Sequence, residues 1–143
     1  MLDTPIRQIM KRSKLLKAAP ETFVSRAAKL MAAKNVGALM VVEGGHLVGI
    51  CTERDIVYRI VARGLDARTT AVLEVMTASP LTVHPDAPFG YALLVMHENG
   101  FRHLPVVENE KPVGIVSARS ALDPDLEEFV VEEERRMRYR RYR

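Results

Sequence analysis

An internal repeat limits the fold of this chain more than any other feature of the sequence. When the sequence is shifted by 65 positions, residues 20–55 align with residues 85–120 without a gap. Identical residues at matching positions include Pro20 and Pro85, Met31 and Met96, Leu39 and Leu104, Gly49 and Gly114. A unit this short buries little apolar surface by itself. We therefore expect the two copies to pack against each other across a pseudo-twofold axis.

The apolar spacing predicts the same order of elements in each copy. After the shared proline, apolar residues recur with helical spacing over residues 24–31 and over their equivalents in the second copy. Two short apolar runs follow, 38–42 and 47–51, and Gly44 and Gly45 between them suit the turn of a β-hairpin. A second helix follows the hairpin, and a short extended segment precedes each proline. The sequence thus predicts two β-α-β-β-α units.

Length and composition are those of a folded, soluble protein. The 143 residues are enough for one core shared by two small halves, and 48% hydrophobic with 27% charged residues excludes disorder as the main state. No apolar run reaches the roughly 18 to 20 residues of a membrane span, and the polar N-terminal segment does not resemble a signal peptide. We therefore expect a cytoplasmic location and no membrane partner. The single cysteine, Cys51, cannot form an internal disulfide.

The positive charge is concentrated near the C-terminal end. Residues 135–143 hold six arginines and no acidic residue, so the net charge of +3 becomes −3 for the rest of the chain. A final helix is predicted before this basic tail. The tail is either a solvated extension or an arm that binds an anionic partner such as RNA, with Tyr139 or Tyr142 stacking on bases. A nucleic acid is thus a candidate partner only through residues 135–143, and in that alternative the rest of the chain is a scaffold and the tail supplies the function.

The chain resembles a tandem pair of cystathionine-β-synthase-type (CBS) domains, known as a Bateman module, in a stand-alone CBS-domain protein. The resemblance covers residues 3–122 and rests on the phrases GALMVVEGGHLVGICTERDIV and FRHLPVVENEKPVGIVSARSAL. It implies an α/β (α+β) fold of two pseudo-symmetric β-α-β-β-α CBS repeats packed through their sheets, plus a C-terminal helix. Residues 1–66 would form repeat 1 with a short leading helix, 67–122 repeat 2, and 123–143 the C-terminal helix and arginine- and tyrosine-rich tail.

The resemblance also implies a regulatory module without catalytic activity. CBS pairs commonly bind adenosine-containing ligands in clefts between repeats, often form homodimers and pass the bound state to a partner protein. We therefore expect AMP as the ligand, with ADP, ATP or an NAD-type ligand as alternatives, no required cofactor, a homodimer and an unidentified effector protein. The sequence contains no phosphate-binding loop, and its four histidines lack the spacing of metal ligands, so no catalytic or metal site is predicted. A structural dimer with decayed pockets is the remaining alternative.

The resemblance places the ligand site in the pattern Gly-apolar-x-Thr/Ser-x-x-Asp, which is residues 49–55 here. Thr52 begins a helix whose free backbone N–H groups attract an anion, and Asp55 would accept hydrogen bonds from two ribose hydroxyls. Arg54, between them, is a candidate for a phosphate. Thr52 and Asp55 also fit a capping box, in which each side chain bonds the other residue's backbone. The sequence leaves both roles open.

Basic residues at Arg102 and His103, just before a predicted strand, often reach the ligand phosphate in the proteins that the chain resembles. The alternatives are a solvated surface arginine and a partly buried, hydrogen-bonded imidazole. The small residues Gly37 and Ala38, with Ile50 on the adjoining strand, would let an adenine ring lie against the backbone. Tight packing explains these small residues equally well.

The second copy departs from the ligand-binding pattern. Ser117 keeps the hydroxyl group and Arg119 matches Arg54, but Ser120 replaces the aspartate at position 55. A serine cannot hold a diol with a charged, bidentate group. We therefore predict one strong site per chain, and a weaker or empty second site at Ser117, Arg119 and Ser120.

Overall fold

The computed structural model describes residues 2–10 and 15–118 and has a mixed α+β architecture, which confirms the predicted fold class. The helices are α1 (Ile6–Ile9), α2 (Val24–Lys34), α3 (Glu53–Asp55) with a π-helical continuation (Ile56–Val61), a 3-10 helix (Val72–Glu74) and α4 (Phe89–Asn99). The strands are β1 (Lys17–Ala18), β2 (Ala38–Glu43), β3 (His46–Thr52), β4 (Thr77–Ala78), β5 (His103–Glu108) and β6 (Lys111–Ser117). The predicted C-terminal helix and basic tail lie outside the described residues. None of the helices in the described part of the chain has both the length and the apolar character of a membrane span.

Each repeat is built on one β-hairpin. In the first sheet, with the order β1-β2-β3-β4, β1 runs parallel to β2 and the other pairs are antiparallel. In the second, β5 pairs antiparallel with β6, and Val83 forms a parallel bridge to Val106 that matches the pairing of β1 with β2. The register of β2 with β3 shifts after Val41, and that of β5 with β6 shifts after Val106. Strands β3 and β6 contact each other, so the two hairpins meet through their sheets, as expected.

The two hairpin turns share one backbone geometry although their residues differ. Gly44 and Gly45 have φ values of 58° and 81°, and Asn109 and Glu110 have φ values of 53° and 65°. Two consecutive positive φ angles are what a type I′ hairpin turn requires. Glycine adopts them freely, whereas Glu110 does so against its steric preference. The glycines made the first turn evident from the sequence, whereas the second turn was predicted from its match to the first repeat and has no glycine.

The segment that precedes each repeat in the chain packs into the core of the other repeat. Segment 2–10, which contains α1, enters the core built on α4, β5 and β6. Segment 67–76, which contains the 3-10 helix, enters the core built on α2, β2 and β3. The buried members of these two segments are Ile6, Ile9 and Met10, and Val72, Val75 and Met76. The structure thus has two cores, but neither is formed by residues 1–66 or by residues 67–122 alone.

Backbone hydrogen bonds hold this exchange in place. At the start of α2, the Val24 N–H donates to the Thr70 carbonyl at 2.9 Å, and at the start of α4, the Phe89 N–H donates to the Thr4 carbonyl at 2.8 Å. Within the described residues, neither helix has a side-chain hydrogen bond at its N-cap. The exchanged segments therefore supply the acceptors that a capping side chain would otherwise provide.

The same exchange explains why the repeat has a glycine at two equivalent strand positions. Gly49 in β3 lies against the side chain of Met76, and Gly114 in β6 lies against that of Met10. A Cβ atom on Gly114 would lie 2.6 Å from the Met10 sulfur, and a Cβ on Gly49 would overlap Met76 still more closely. The methionine of each exchanged segment occupies the space that a side chain on the strand would need.

We expect Gly49→Ala to lower the free energy of unfolding by about 1–3 kcal/mol, because Met76 must then move within a packed core. In the Met76→Ala background the same substitution should cost less, since the space is already vacated. Urea denaturation of the wild type, both single variants and the double variant measures this coupling. Strictly additive effects would show that the contact does not constrain position 49.

Candidate functional site

A cavity of about 450 Å³ lies between the two repeats. Its walls come from Gly37 just before β2, from the end of β3 with the helix that follows it, from the linker that begins at β4, and from the loop between α4 and β5 with the start of β5. A concave site of this size is typical of pockets for small molecules. Seven of the predicted site residues line it: Gly37, Ile50, Thr52, Arg54, Asp55, Arg102 and His103.

The other predicted residues have different positions. Ala38 is only 2% exposed in β2, and it is not among the described residues that line the cavity, so its small size serves packing. Ser117 pairs with His103 at the end of β6 and is not among the described residues that line this cavity. Arg119 and Ser120 lie outside the described residues. The weak second site therefore remains a prediction.

Thr52 and Asp55 form the capping box that the sequence allowed. Asp55 Oδ2 accepts the Thr52 backbone N–H at 2.9 Å and the Thr52 hydroxyl at 3.2 Å, and the Asp55 N–H donates to Thr52 Oγ1 at 3.3 Å. Asp55 is only 6% exposed, although it also lines the cavity. A buried carboxylate needs such partners, because its desolvation is otherwise costly. The cap thus fixes the carboxylate beside the cavity.

The second oxygen of Asp55 has weaker partners. Its Oδ1 atom accepts a hydrogen bond from the Thr77 hydroxyl at 3.4 Å and lies 3.9 Å from Arg59 Nε. Thr77 and Arg59 line the same cavity. Both contacts are long compared with ordinary hydrogen bonds. Oδ1 therefore keeps capacity to accept further hydrogen bonds.

Arg59 connects this helix to the linker, and sequence analysis did not identify it. Its Nη1 atom donates to the carbonyls of Val75 at 3.0 Å and Met76 at 2.9 Å. These bonds hold the chain just before Thr77, which explains how the linker reaches Asp55. The spacing of four residues from Asp55 to Arg59 was a signal in the sequence, because such residues share a helix face. The acceptors of Arg59, in contrast, are backbone carbonyls of the linker, and no residue type in the sequence marks them.

The loop of the second repeat closes the other side of the cavity. Helix α4 ends at Gly100, whose φ of 69° turns the chain toward Phe101 and Arg102. Arg54 Nη1 donates to the Gly100 carbonyl at 3.3 Å, and its guanidinium lies 5.9 Å from the centre of the Tyr58 ring. Arg54 thus bridges the two repeats at the cavity mouth, while Arg102 is exposed beside it.

Gly37 has no room for a side chain. A Cβ atom there would lie 2.9 Å from His103 Nε2 and 3.1 Å from Glu53 Cδ. The space above Gly37, which we considered for an adenine ring, is therefore filled by an imidazole and a carboxylate. Glu53 was not among the predicted site residues.

The described residues offer little for catalysis. Cys51 is buried, and desolvation, with a further contribution from the Asp55 charge, raises the pKa of its thiol to about 12. Such a thiol is protonated at neutral pH and is not an activated nucleophile. Across residues 2–10 and 15–118, histidine, cysteine and acidic side chains form no cluster that could hold a metal ion.

Comparison with known proteins decides the family. A family model described as CBS domain matches residues 6–62 and 72–125, which together are more than half of the chain. The chain belongs to the CBS domain family. The predicted resemblance to a tandem CBS pair is thereby confirmed, and both halves of the repeat are CBS domains.

Proteins similar to this CBS pair include both larger proteins and isolated pairs. The meiotically up-regulated gene 70 protein of Schizosaccharomyces pombe is 38% identical over 125 residues, which are 80% of this chain and 17% of that protein. The chain thus spans only a small part of the length of that relative.

Two of the similar solved structures illustrate the shared fold. A putative signal-transduction protein with CBS domains from Burkholderia ambifaria superposes with a TM-score of 0.79 and is 32% identical, covering 90% of this chain and 96% of that one. The CBS domain pair of protein MJ0100, solved in complex with 5′-methylthioadenosine and S-adenosyl-L-methionine, has a TM-score of 0.74 and 27% identity, with coverages of 83% and 97%.

We expect Arg59→Met to lower the free energy of unfolding by about 1–3 kcal/mol, because two carbonyls and a buried carboxylate lose a charged partner. Arg63→Met, an exposed position one turn further along, is the matched control and should have little effect. Urea denaturation measures both. Equal destabilisation by the two substitutions would show that Arg59 does not hold the linker.

Proposed function

We propose that this CBS pair is a regulatory module that binds AMP in the cavity between its repeats and performs no catalysis itself. ADP, ATP and NAD-type ligands are the alternatives within the same class. The observation that carries the proposal is the position of Asp55, a buried carboxylate on the wall of a cavity that both repeats and the linker form.

The carboxylate of Asp55 suits a ribose. One oxygen is used by the capping box, and the other, Oδ1, has long contacts to Thr77 and Arg59 among the described residues. A carboxylate oxygen accepts more than one hydrogen bond, so the two vicinal hydroxyls of a ribose can donate to it. Because the cap already holds the side chain in place, binding does not require it to be ordered.

The remaining walls suit the phosphate and the base. Arg54 and Arg102 bring two guanidinium groups to the side formed by the second repeat, and His103 lies beside them. Guanidinium groups bind phosphates with charge-assisted, often bidentate hydrogen bonds. Ile50 and Phe101 supply apolar surface on the same walls, against which an adenine ring can pack.

The complex of the MJ0100 pair supports the ligand class. Both molecules bound to that protein contain adenosine, although neither carries a phosphate. From this complex we infer that the present chain binds an adenosine-containing ligand. The choice of AMP rests on Arg54 and Arg102, whose guanidinium groups can bind its phosphate.

Ligand binding would tie the repeats together, because groups from both repeats and from the linker line the cavity. We propose that the occupied and empty forms differ in shape, that an effector protein recognises this difference, and that the module acts as a cytoplasmic homodimer. A ligand shifts such an equilibrium only by its difference in affinity for the two forms.

AMP at a hundredfold excess over its Kd should stabilise the wild type against thermal unfolding by about 2.7 kcal/mol. Asp55→Asn keeps an acceptor for the cap but loses the charge, so we expect at least a tenfold rise in the Kd for AMP. Calorimetric titration measures the Kd and also tests the expected stoichiometry of one site per chain. Exposed Asp86→Asn is the matched control. Equal affinity of Asp55→Asn and the wild type would contradict the ribose assignment.

The substitution Arg102→Gln tests the contact with the phosphate independently of the contacts with the adenosine. We expect it to raise the Kd for AMP by about five- to tenfold, because one charge-assisted contact is lost, and to leave the Kd for adenosine unchanged. Arg26→Gln, an exposed arginine on α2, removes the same charge away from the cavity. If both variants weaken AMP equally, Arg102 acts through net charge and not through contact with the phosphate.

A further inference from the structure

A carboxylate lies among the cations of the cavity. Glu53 is the first residue of α3, and its side chain meets the imidazole of His103 above the Cα atom of Gly37. Arg102 immediately precedes His103 in the chain, and Arg54 immediately follows Glu53. All of these residues line the cavity, so an acidic side chain shares its wall with the two arginines that we expect at a phosphate.

The charges on the described part of the cavity wall nearly cancel. Three arginines face two carboxylates, and His103 is a further, titratable group. Arg59 is already bonded to two carbonyls, and the buried Asp55 is bonded within its cap. This leaves Arg54 and Arg102 against Glu53 near the expected phosphate position. The excess of positive charge there is small.

A site with a small excess of positive charge distinguishes ligands by their own charge. A single phosphate monoester carries about −1.5 to −2 at neutral pH, and each further phosphate adds negative charge. Two guanidinium groups offset the charge of the first phosphate, which the nearby carboxylate also repels, whereas each additional phosphate adds further repulsion. The repulsion from this carboxylate therefore grows with the number of phosphates.

We propose that Glu53 is a specificity residue, whose carboxylate makes the site favour ligands with one phosphate over ligands with two or three. This inference rests on the proposed function and concerns the same cavity. Glu53 contributes by repulsion, so it excludes competing ligands and adds nothing to the affinity for AMP. Discrimination between related ligands commonly needs such an unfavourable contact with the wrong one.

The hairpin itself offers a matched control. Glu43 is also exposed, but it pairs with His46 at the turn, whereas Ala38 pairs with Thr52 at the cavity end. Five to six residues of strand, about 20 Å, separate the two ends. Glu43→Gln thus removes a charge at the far end of the hairpin, whereas Glu53→Gln removes the same charge at the start of α3, on the cavity wall.

The test is calorimetric titration of adenosine, AMP, ADP and ATP, with EDTA present, into the wild type, Glu53→Gln and Glu43→Gln. We expect Glu53→Gln to lower the ratio of the ATP Kd to the AMP Kd by about fivefold, and to leave the Kd for adenosine unchanged. Because Glu53 is exposed, the change should shrink at high salt. Glu53→Ala, which also removes the charge, should lower the ratio similarly.

Two results would overturn the assignment of Glu53. In the first, both Glu53 variants bind nucleotides with the same ATP to AMP ratio as the wild type. In the second, Glu43→Gln changes this ratio as much as Glu53→Gln does, which indicates an effect of net charge alone. If the wild type binds none of the four ligands, the proposed adenosine site itself is refuted.

Discussion

The structure depends on the exchange of short segments between the two repeats. Each repeat leaves backbone N–H groups at the start of its first helix and a gap above a strand glycine, and the segment from the other repeat fills both. Buried backbone donors without acceptors are costly, so neither repeat is complete without the other. The exchange also determines where the linker runs. Because Met76 packs on Gly49, the residues from Thr77 onward pass beside Asp55 and form one wall of the cavity.

The same residues stabilise the fold and line the cavity. Asp55 caps a helix with one oxygen and faces the linker with the other, and Arg59 holds the linker by its carbonyls. A ligand that bonds to Asp55 would thus contact a network that joins the repeats. Such a position suits a regulatory module, because binding there acts on the contact between the two halves and not on one half alone.

The sequence predicted more of the site on the first repeat than on the second. Thr52 and Asp55 are close in the chain, so their hydrogen bonds follow from local spacing, as the capping box shows. Thr77 lies 22 residues from Asp55, and only the packing of the linker brings them together. The side chain of Glu53 was likewise placed beside His103 by the approach of two distant segments. Ala38 was misplaced because small size suits both a cavity wall and a packed core, and only burial distinguishes them.

By itself, the sequence determined the repeat, the hairpin with its glycine turn and the CBS family, and it allowed the capping box, because each of these depends on neighbouring residues or on a pattern repeated along the chain. The tertiary structure alone decided which core each leading segment enters, which groups face Asp55, and that a carboxylate stands among the arginines. Short apolar segments carry too little pattern to specify their partners, and the contacts between distant segments depend on how both cores pack.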